Sequence, residues 1–231
     1  LSAVTYFVLR ACDALVVPSF FLKMLTEGWG VAGGKIHVVR PVLRNTFIAS
    51  AEEESSETDG QTILTVAMLT RGKGIEHGIR AMKRILKEVP QARYLVVGEG
   101  PLKQQYRHLA RELGVDKSVK FLGGVPPYEV HKYYEKSSVY LLSSDTETFG
   151  ISKIEANACG KPVVARAVEG IGEGIVHGYN GYLFSDNNEI VDYIVKLLTD
   201  KKLRLSMAAN CRKEAQTYSA DYFAYQVEGI Y

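Results

Sequence analysis

Residues 139–164 constrain the fold more than any other stretch, because they read as strand, loop, helix, turn and strand in immediate succession. Val139-Tyr140-Leu141-Leu142 is a short apolar run suited to a buried strand, and Ser143 to Phe149 is polar enough to be the loop leaving its carboxyl end. Ile151, Ile154 and Ala158 recur at helical spacing, Gly160 and Pro162 stop the helix, and Val163-Val164-Ala165 begins the next strand. A βαβ unit results, and a crossover of this length joins parallel strands.

The same pattern recurs upstream. Ile63 to Met68 is a buried-strand run, followed by the loop Leu69 to Gly74 and a helix from Ile75 to Val89 with Ile79, Met82, Ile85 and Leu86 on one face. Tyr94 to Val97 is the next strand, Gly98-Glu99-Gly100-Pro101 turns into a helix through Leu113, and Val119 to Gly123 is a further strand before a short helix over Glu129 to Lys136. Strand and helix units at intervals of roughly thirty residues predict an α/β fold, a Rossmann-like doubly wound parallel sheet. Ahead of it, Leu1 to Ala14 reads as a helix, Leu15 to Val17 as a strand, Phe20 to Gly28 as a helix capped by Ser19, and Lys35 to Val39 as another strand. Ser50 to Gly60, rich in Glu and Ser, reads as a linker or as a surface loop within one domain. After Val163, residues 169–181 supply a loop and turn in which Glu173 caps a helix or lines the site. Residues 189–198 and 203–218 read as amphipathic helices, and residues 219–231 form a terminal one.

A helix that begins at Gly150 presents unpaired N–H groups and the positive end of its dipole beyond the strand ends, where open α/β sheets bind ligands, so a phosphate fits there. Glycine lets the backbone approach it closely. Glu147 lies in the loop before this helix and Glu155 about two turns later, so one can face a ligand's polar head while the other reaches a ribose diol. Spacing alone describes a solvated loop acid and a helix-surface acid at least as well. Arg71 and Lys73, after the Ile63 strand, likewise read on their own as solvated loop charges.

The run Glu147-Thr-Phe-Gly, Glu155-Ala, Gly160-Lys-Pro-Val-Val and Gly170-Ile-Gly-Glu-Gly-Ile-Val-His-Gly-Tyr-Asn-Gly-Tyr-Leu resembles the Glu-x7-Glu signature of the retaining glycosyltransferases of family 4, which have the GT-B fold. The resemblance implies that Glu147 lies at the transferred sugar and diphosphate, that the backbone of Phe149, Gly150 and Ile151 cradles phosphate, and that Glu155 holds the nucleotide ribose. It implies a diphosphate contact for Lys73, whose Lys73-Gly74 matches the second half of a family motif. Ala67 and Met68 stand where the first half has Gly and Arg, and Arg71 is placed to supply the missing charge. Gly98 borders the nucleotide pocket as a backbone contact, while Leu122 and Val125 fall at the edge that receives the base. The catalytic set is therefore Glu147, Lys73 and Arg71, and the donor-binding set is Glu155, Phe149, Gly150, Ile151, Gly98, Leu122 and Val125.

On this resemblance residues 1–49 are a remnant of the N-terminal GT-B domain, 50–60 a linker, 61–218 the nucleotide-sugar-binding domain and 219–231 the helix that crosses back. The resemblance implies that the chain is the C-terminal, donor-binding half of a hexosyltransferase-type enzyme that moves a sugar with retention from a UDP-, GDP- or ADP-sugar. On the same resemblance the acceptor is an unknown lipid, glycan or small molecule, and most of the acceptor domain is expected outside residues 1–231. Two alternatives stay open: a non-catalytic nucleotide-sugar-binding or regulatory module, and another GT-B enzyme such as a sugar-nucleotide epimerase. Asp145-Thr146-Glu147 superficially resembles the metal motif of the other glycosyltransferase fold but stands in a different context, so no metal is expected.

The totals agree with this class. A 46% hydrophobic content supports a real core, and a formal net charge of +2 gives no strong pull toward nucleic acid. Cys12, Cys159 and Cys211 are far apart, without metal-ligand spacing, and read as buried or idle thiols in a reducing compartment. His77, His108, His131 and His177 form no ligand cluster either. No apolar run is of membrane-spanning length, so a cytoplasmic location is expected, free or peripheral at the membrane. The first residue is Leu rather than Met, which reads as a fragment of a longer chain.

Overall fold

The computed structural model describes residues 3–47, 60–168 and 170–230. A two-stranded parallel pair comes first. Helix α1 (Ala3–Ala11) leads into β1 (Leu15–Val17), α2 (Phe20–Gly28) returns the chain, and β2 (Ile36–Val38) pairs with β1, Leu15 opposite Ile36. Val17, Val31 and Ile36 form its small core.

The larger unit is a six-stranded parallel sheet built from β3 (Thr62–Val66), β4 (Arg93–Val97), β5 (Val119–Gly123), β6 (Val139–Leu142), β7 (Val163–Arg166) and β8 (Gly181–Phe184), in the order β5-β4-β3-β6-β7-β8. This is the doubly wound arrangement, with the chain starting in the middle and winding outward in both directions. Period-two alternation divides the strand residues between two cores. Ile63, Val139, Leu141 and Val164 face one layer, formed with α3 (Ile75–Glu88), α4 (Lys103–Glu112) and α7 (Asn187–Thr199). Leu64, Tyr140, Leu142, Val163 and Ala165 face the other, with α5 (His131–Glu135), α6 (Ile151–Ala158) and residues of α8 (Lys201–Ala215). Both faces are covered, which is why these strands read as continuous apolar runs.

Two boundaries differ from the sequence reading. The first strand of the sheet stops at Val66, and Met68, expected within it, is 65% exposed. Strand β8 begins at the last residue of the loop and turn read over 169–181 and runs through residues 182–184, to which the sequence reading gave no element. It has four residues and opens on Gly181, where a Cβ would stand 2.2 Å from Val163 O, so its signal is a close backbone approach rather than a β-branched run. The expected linker, apart from Gly60, falls outside the described residues.

The small pair is fastened to the sheet by polar contacts at one end of α2. Ser19 Oγ accepts from Leu22 N at 3.1 Å as the helix cap and donates to Thr148 O at 2.7 Å, while the Glu173 carboxylate accepts from Phe20 N at 3.0 Å and Phe21 N at 2.8 Å. Glu173 thus caps a helix more than 150 residues away. The final helix α9 (Ala220–Glu228) also returns to this pair, with Gln226 Oε1 accepting from Arg40 N at 3.1 Å. Among the described residues no helix is long and apolar enough to cross a membrane.

Candidate functional site

Strands β3 and β6 are adjacent, yet the chain leaves them toward opposite sides of the sheet. Their carboxyl ends therefore flank a switch point, where a crevice opens in folds of this kind. The loops that leave these strands are laced together. Asp145 N donates to Gly72 O at 2.8 Å, Ser143 Oγ donates to Gly74 O at 2.7 Å, and Lys73 Nζ lies 2.6 Å from Glu147 Oε1, which also accepts from Ser144 Oγ at 3.2 Å. Gly74, with φ of 63°, begins α3 so close to the second loop that a Cβ would stand 1.9 Å from Ser143 O. Only glycine fits both the left-handed backbone and this contact.

Behind the crevice, Gly150 (φ 75°, ψ 69°) turns the chain into α6 without a side-chain cap. Lys153 N donates to Gly150 O at 3.1 Å, and the N–H groups of Ile151 and Ser152 are left for another acceptor. Phe149 is 6% exposed and its ring meets Tyr218 at 5.9 Å between centroids, so its side chain belongs to the core and only its backbone is offered to the crevice. The resulting cleft, about 560 Å³, is lined by Met68, Lys73, Glu147, Phe149, Gly150 and Ile151 on the sheet side and by Pro18, Pro41 and Val42 on the side of the small pair. A second cleft of about 550 Å³ meets it at Glu147 and Thr148 and is walled by Phe21, Asp145, Ala167 and Val168. Asp145 is held there by Arg166 NH1 at 2.8 Å.

Glu155 stands one turn beyond Ile151 on the same side of α6. Its side chain is 12% exposed, Oε1 accepts from Arg44 NH2 at 2.9 Å, and Oε2 accepts from the Tyr134 hydroxyl at 3.1 Å. Burial pushes its carboxyl above the ordinary range, and the Tyr134 and Arg44 hydrogen bonds oppose that shift.

The structure thus brings Lys73, Glu147, Phe149, Gly150 and Ile151 to one cleft, with Glu155 next to it. It does not bring the others. Arg71 is exposed on the same loop as Lys73 but outside the lining. Gly98 pairs through its N–H with Gly123 O at 2.8 Å, and its Cα sits against Ala67, where a Cβ would meet Ala67 O at 1.9 Å, so this glycine closes two loops onto each other. Leu122 lines a separate cleft of about 470 Å³ with Gln104, Arg107 and Arg111. Val125 packs against the second core.

Sequence reasoning missed three groups. Arg44 and Tyr134 hold Glu155 from remote segments, and nothing in either one's local pattern announces it. Lys153 is buried in the first turn of α6, with Nζ donating to Ile171 O at 2.7 Å and Gly170 O at 3.0 Å and lying 4.6 Å from the Phe149 ring centroid. Burial lowers its pKa to about 7, against the nearby carboxylates of Glu173 and Glu147. A lysine directly before Ile154 and Ala156, in the part of the helix that is buried, is the one available signal.

Residues 47–214 match the model of the glycosyl transferases group 1 family, and the chain belongs to that family. It is 35% identical over 178 residues to an uncharacterized glycosyltransferase of Methanocaldococcus jannaschii, covering 76% of this chain and 45% of that one. It is 34% identical over 179 residues to a D-inositol 3-phosphate glycosyltransferase of Corynebacterium aurimucosum, covering 74% and 42%. The chain thus spans somewhat under half the length of these two relatives. Among solved structures, TarM of S. aureus in complex with Fondaparinux, alpha-GlcNAc-glycerol and UDP superposes with a TM-score of 0.86 at 18% identity, over 98% of this chain and 45% of that one. Anabaena HepE in complex with UDP superposes with a TM-score of 0.85 at 21% identity, over 99% and 67%. The fold is that of the GT-B glycosyltransferases.

Proposed function

We propose that this chain carries the donor half of a retaining, metal-independent glycosyltransferase and binds a nucleotide sugar at the β3–β6 switch point. The observation that carries the reading is a single cleft uniting Lys73, Glu147 and the uncapped start of α6. The donor's diphosphate lies against the N–H groups at Gly150 and Ile151 and against Lys73, while Glu155 accepts hydroxyls of the ribose. As the bond from the anomeric carbon to the diphosphate breaks, negative charge grows on the departing phosphate. The helix start and Lys73 stabilise that charge, without a metal ion. Glu147 sits where the two clefts meet and orients the transferred sugar there, and the cleft walled by Phe21 and Val168 admits the acceptor. UDP in the HepE and TarM complexes supports a nucleoside diphosphate as the ligand class.

Calorimetric titration with UDP, GDP and ADP in parallel, with and without magnesium, tests this reading. Binding of one nucleotide in the absence of metal, abolished in Glu155→Ala, is the expected result. Absence of binding to all three, or binding that Glu155→Ala leaves intact, overturns it.

A further inference from the structure

Arg44 lies in the stretch that follows β2, more than a hundred residues before α6, yet its guanidinium ends 2.9 Å from Glu155 Oε1. The pair is braced by aromatic rings. The Arg44 guanidinium carbon lies 5.2 Å from the centroid of Phe47, a fully buried ring, and Phe47 meets Tyr134 edge-on at 5.6 Å and 77°. Tyr134 closes the set by donating to Glu155 Oε2. Each carboxylate oxygen therefore has one protein partner, and each has a second lone pair to offer. The Arg44 side chain is 45% exposed and that of Glu155 12%, so the pair reaches solvent at the side that Arg44 borders.

We infer that Arg44 is a positioning residue for nucleotide recognition, holding the Glu155 carboxylate in place as an acceptor for the ribose hydroxyls. The inference rests on the ribose role proposed for Glu155. A carboxylate this deeply placed is disfavoured by burial, and a protonated carboxyl would lose the charge that makes it a strong acceptor. The groups facing it are Arg44 from the stretch after β2, Tyr134 from α5 and Tyr140 from β6, while Cys159, just past the end of α6, acts on Tyr134. Burial holds both tyrosines far above their ordinary range, so they stay neutral and Arg44 is the one cation in this set. Removing it raises the carboxyl pKa further, and the ionised fraction at Glu155 then falls as the pH is lowered.

The test is calorimetric titration of wild type, Arg44→Ala, Arg44→Lys and Tyr134→Phe with UDP-glucose, GDP-mannose and ADP-glucose between about pH 5.5 and 8.5, a window in which the diphosphate diester does not titrate and a raised carboxyl does. The binding constant of each variant is divided by that of wild type at the same pH, which cancels the titration of Lys153. Arg44→Ala is expected to bind more weakly throughout. Its deficit should grow toward low pH by up to about tenfold for each unit by which its carboxyl pKa exceeds that of wild type. Arg44→Lys should restore much of the wild-type profile, and Tyr134→Phe should shift it in the same direction as Arg44→Ala. A ratio that does not change with pH overturns the positioning role, as does tighter binding by Arg44→Ala, which would make Arg44 a competitor for the ribose site. Failure of wild type to bind all three sugar nucleotides would instead overturn the donor-site reading itself.

Discussion

Lys73→Ala separates binding from folding more cleanly than any other change at the site. Lys73 Nζ and Glu147 Oε1 lie 2.6 Å apart, with the two side chains 29% and 18% exposed, so their ion pair is partly solvated. Pairs of this kind contribute about 0–1 kcal/mol to stability, and Glu147 keeps Ser144 Oγ as a donor when the lysine is gone. The unfolding midpoint should therefore move little. A charge-assisted hydrogen bond to a diphosphate is worth about 1.5–3 kcal/mol, so the nucleotide that wild type binds should bind about ten- to a hundredfold more weakly to the variant. Weaker salt dependence should accompany the loss, since one cation has left the cleft. The assay is calorimetric titration at two ionic strengths beside a urea melt. Unchanged affinity with unchanged salt dependence would refute the placement of the diphosphate beside Lys73.

Met68→Arg should act in the opposite sense, because Met68 is exposed on the wall of the same cleft and a guanidinium there adds a phosphate donor. Tightening of diphosphate binding by about tenfold, with none for the unphosphorylated nucleoside, is the expected titration result. Gly74→Ala should be costlier than Gly72→Ala. Both residues have positive φ, worth about 1–2 kcal/mol each by left-handed strain, but a Cβ at Gly74 collides with Ser143 O whereas the nearest atom to one at Gly72 is Thr146 Oγ1 at 3.8 Å. Equal losses of denaturant midpoint would contradict the lacing of the two loops. Lys153, with its folded pKa depressed to about 7 from an ordinary 10.5, leaves the unfolded chain binding more protons between those values. Its penalty is complete below about pH 7 and fades as the pH rises toward the unfolded value, so wild-type stability should climb between about pH 7 and 10 more steeply than that of Lys153→Met. Urea melts across that range, in which Lys161 titrates in both proteins alike, should show converging slopes if Lys153 is charged and solvated instead.

The sheet was legible because burial on both faces leaves a direct mark: runs such as Ile63 to Val66 and Val139 to Leu142 are apolar at every position or nearly so. Glycines at helix starts marked the loops for an equally local reason, as Gly74 and Gly150 show. The start of α6 was readable from Gly150, whereas Lys73 and Glu147, which on spacing alone read as solvated loop charges, were singled out by the family resemblance. The clamp of Ser19 and Glu173 on α2, and the Arg44–Glu155–Tyr134 set, were not, since each joins residues more than twenty positions apart through single side chains. Leu122 shows the limit of reading position from a strand alone: its strand was found, but Leu122 is 41% exposed on the edge strand β5 and lines a cleft with Gln104 and Arg107 rather than the one with Lys73 and Glu147.

Amide chemical shifts of the isotope-labelled 231-residue chain, followed while UDP, GDP and ADP are added in turn, measure the location of the ligand itself. The largest changes should fall on the N–H groups of Gly150, Ile151 and Ser152, with smaller ones at Lys73 and Glu155, for whichever nucleotide binds. Changes centred on the Leu122 cleft, or a spectrum unmoved by all three nucleotides, would contradict a donor site at the start of α6.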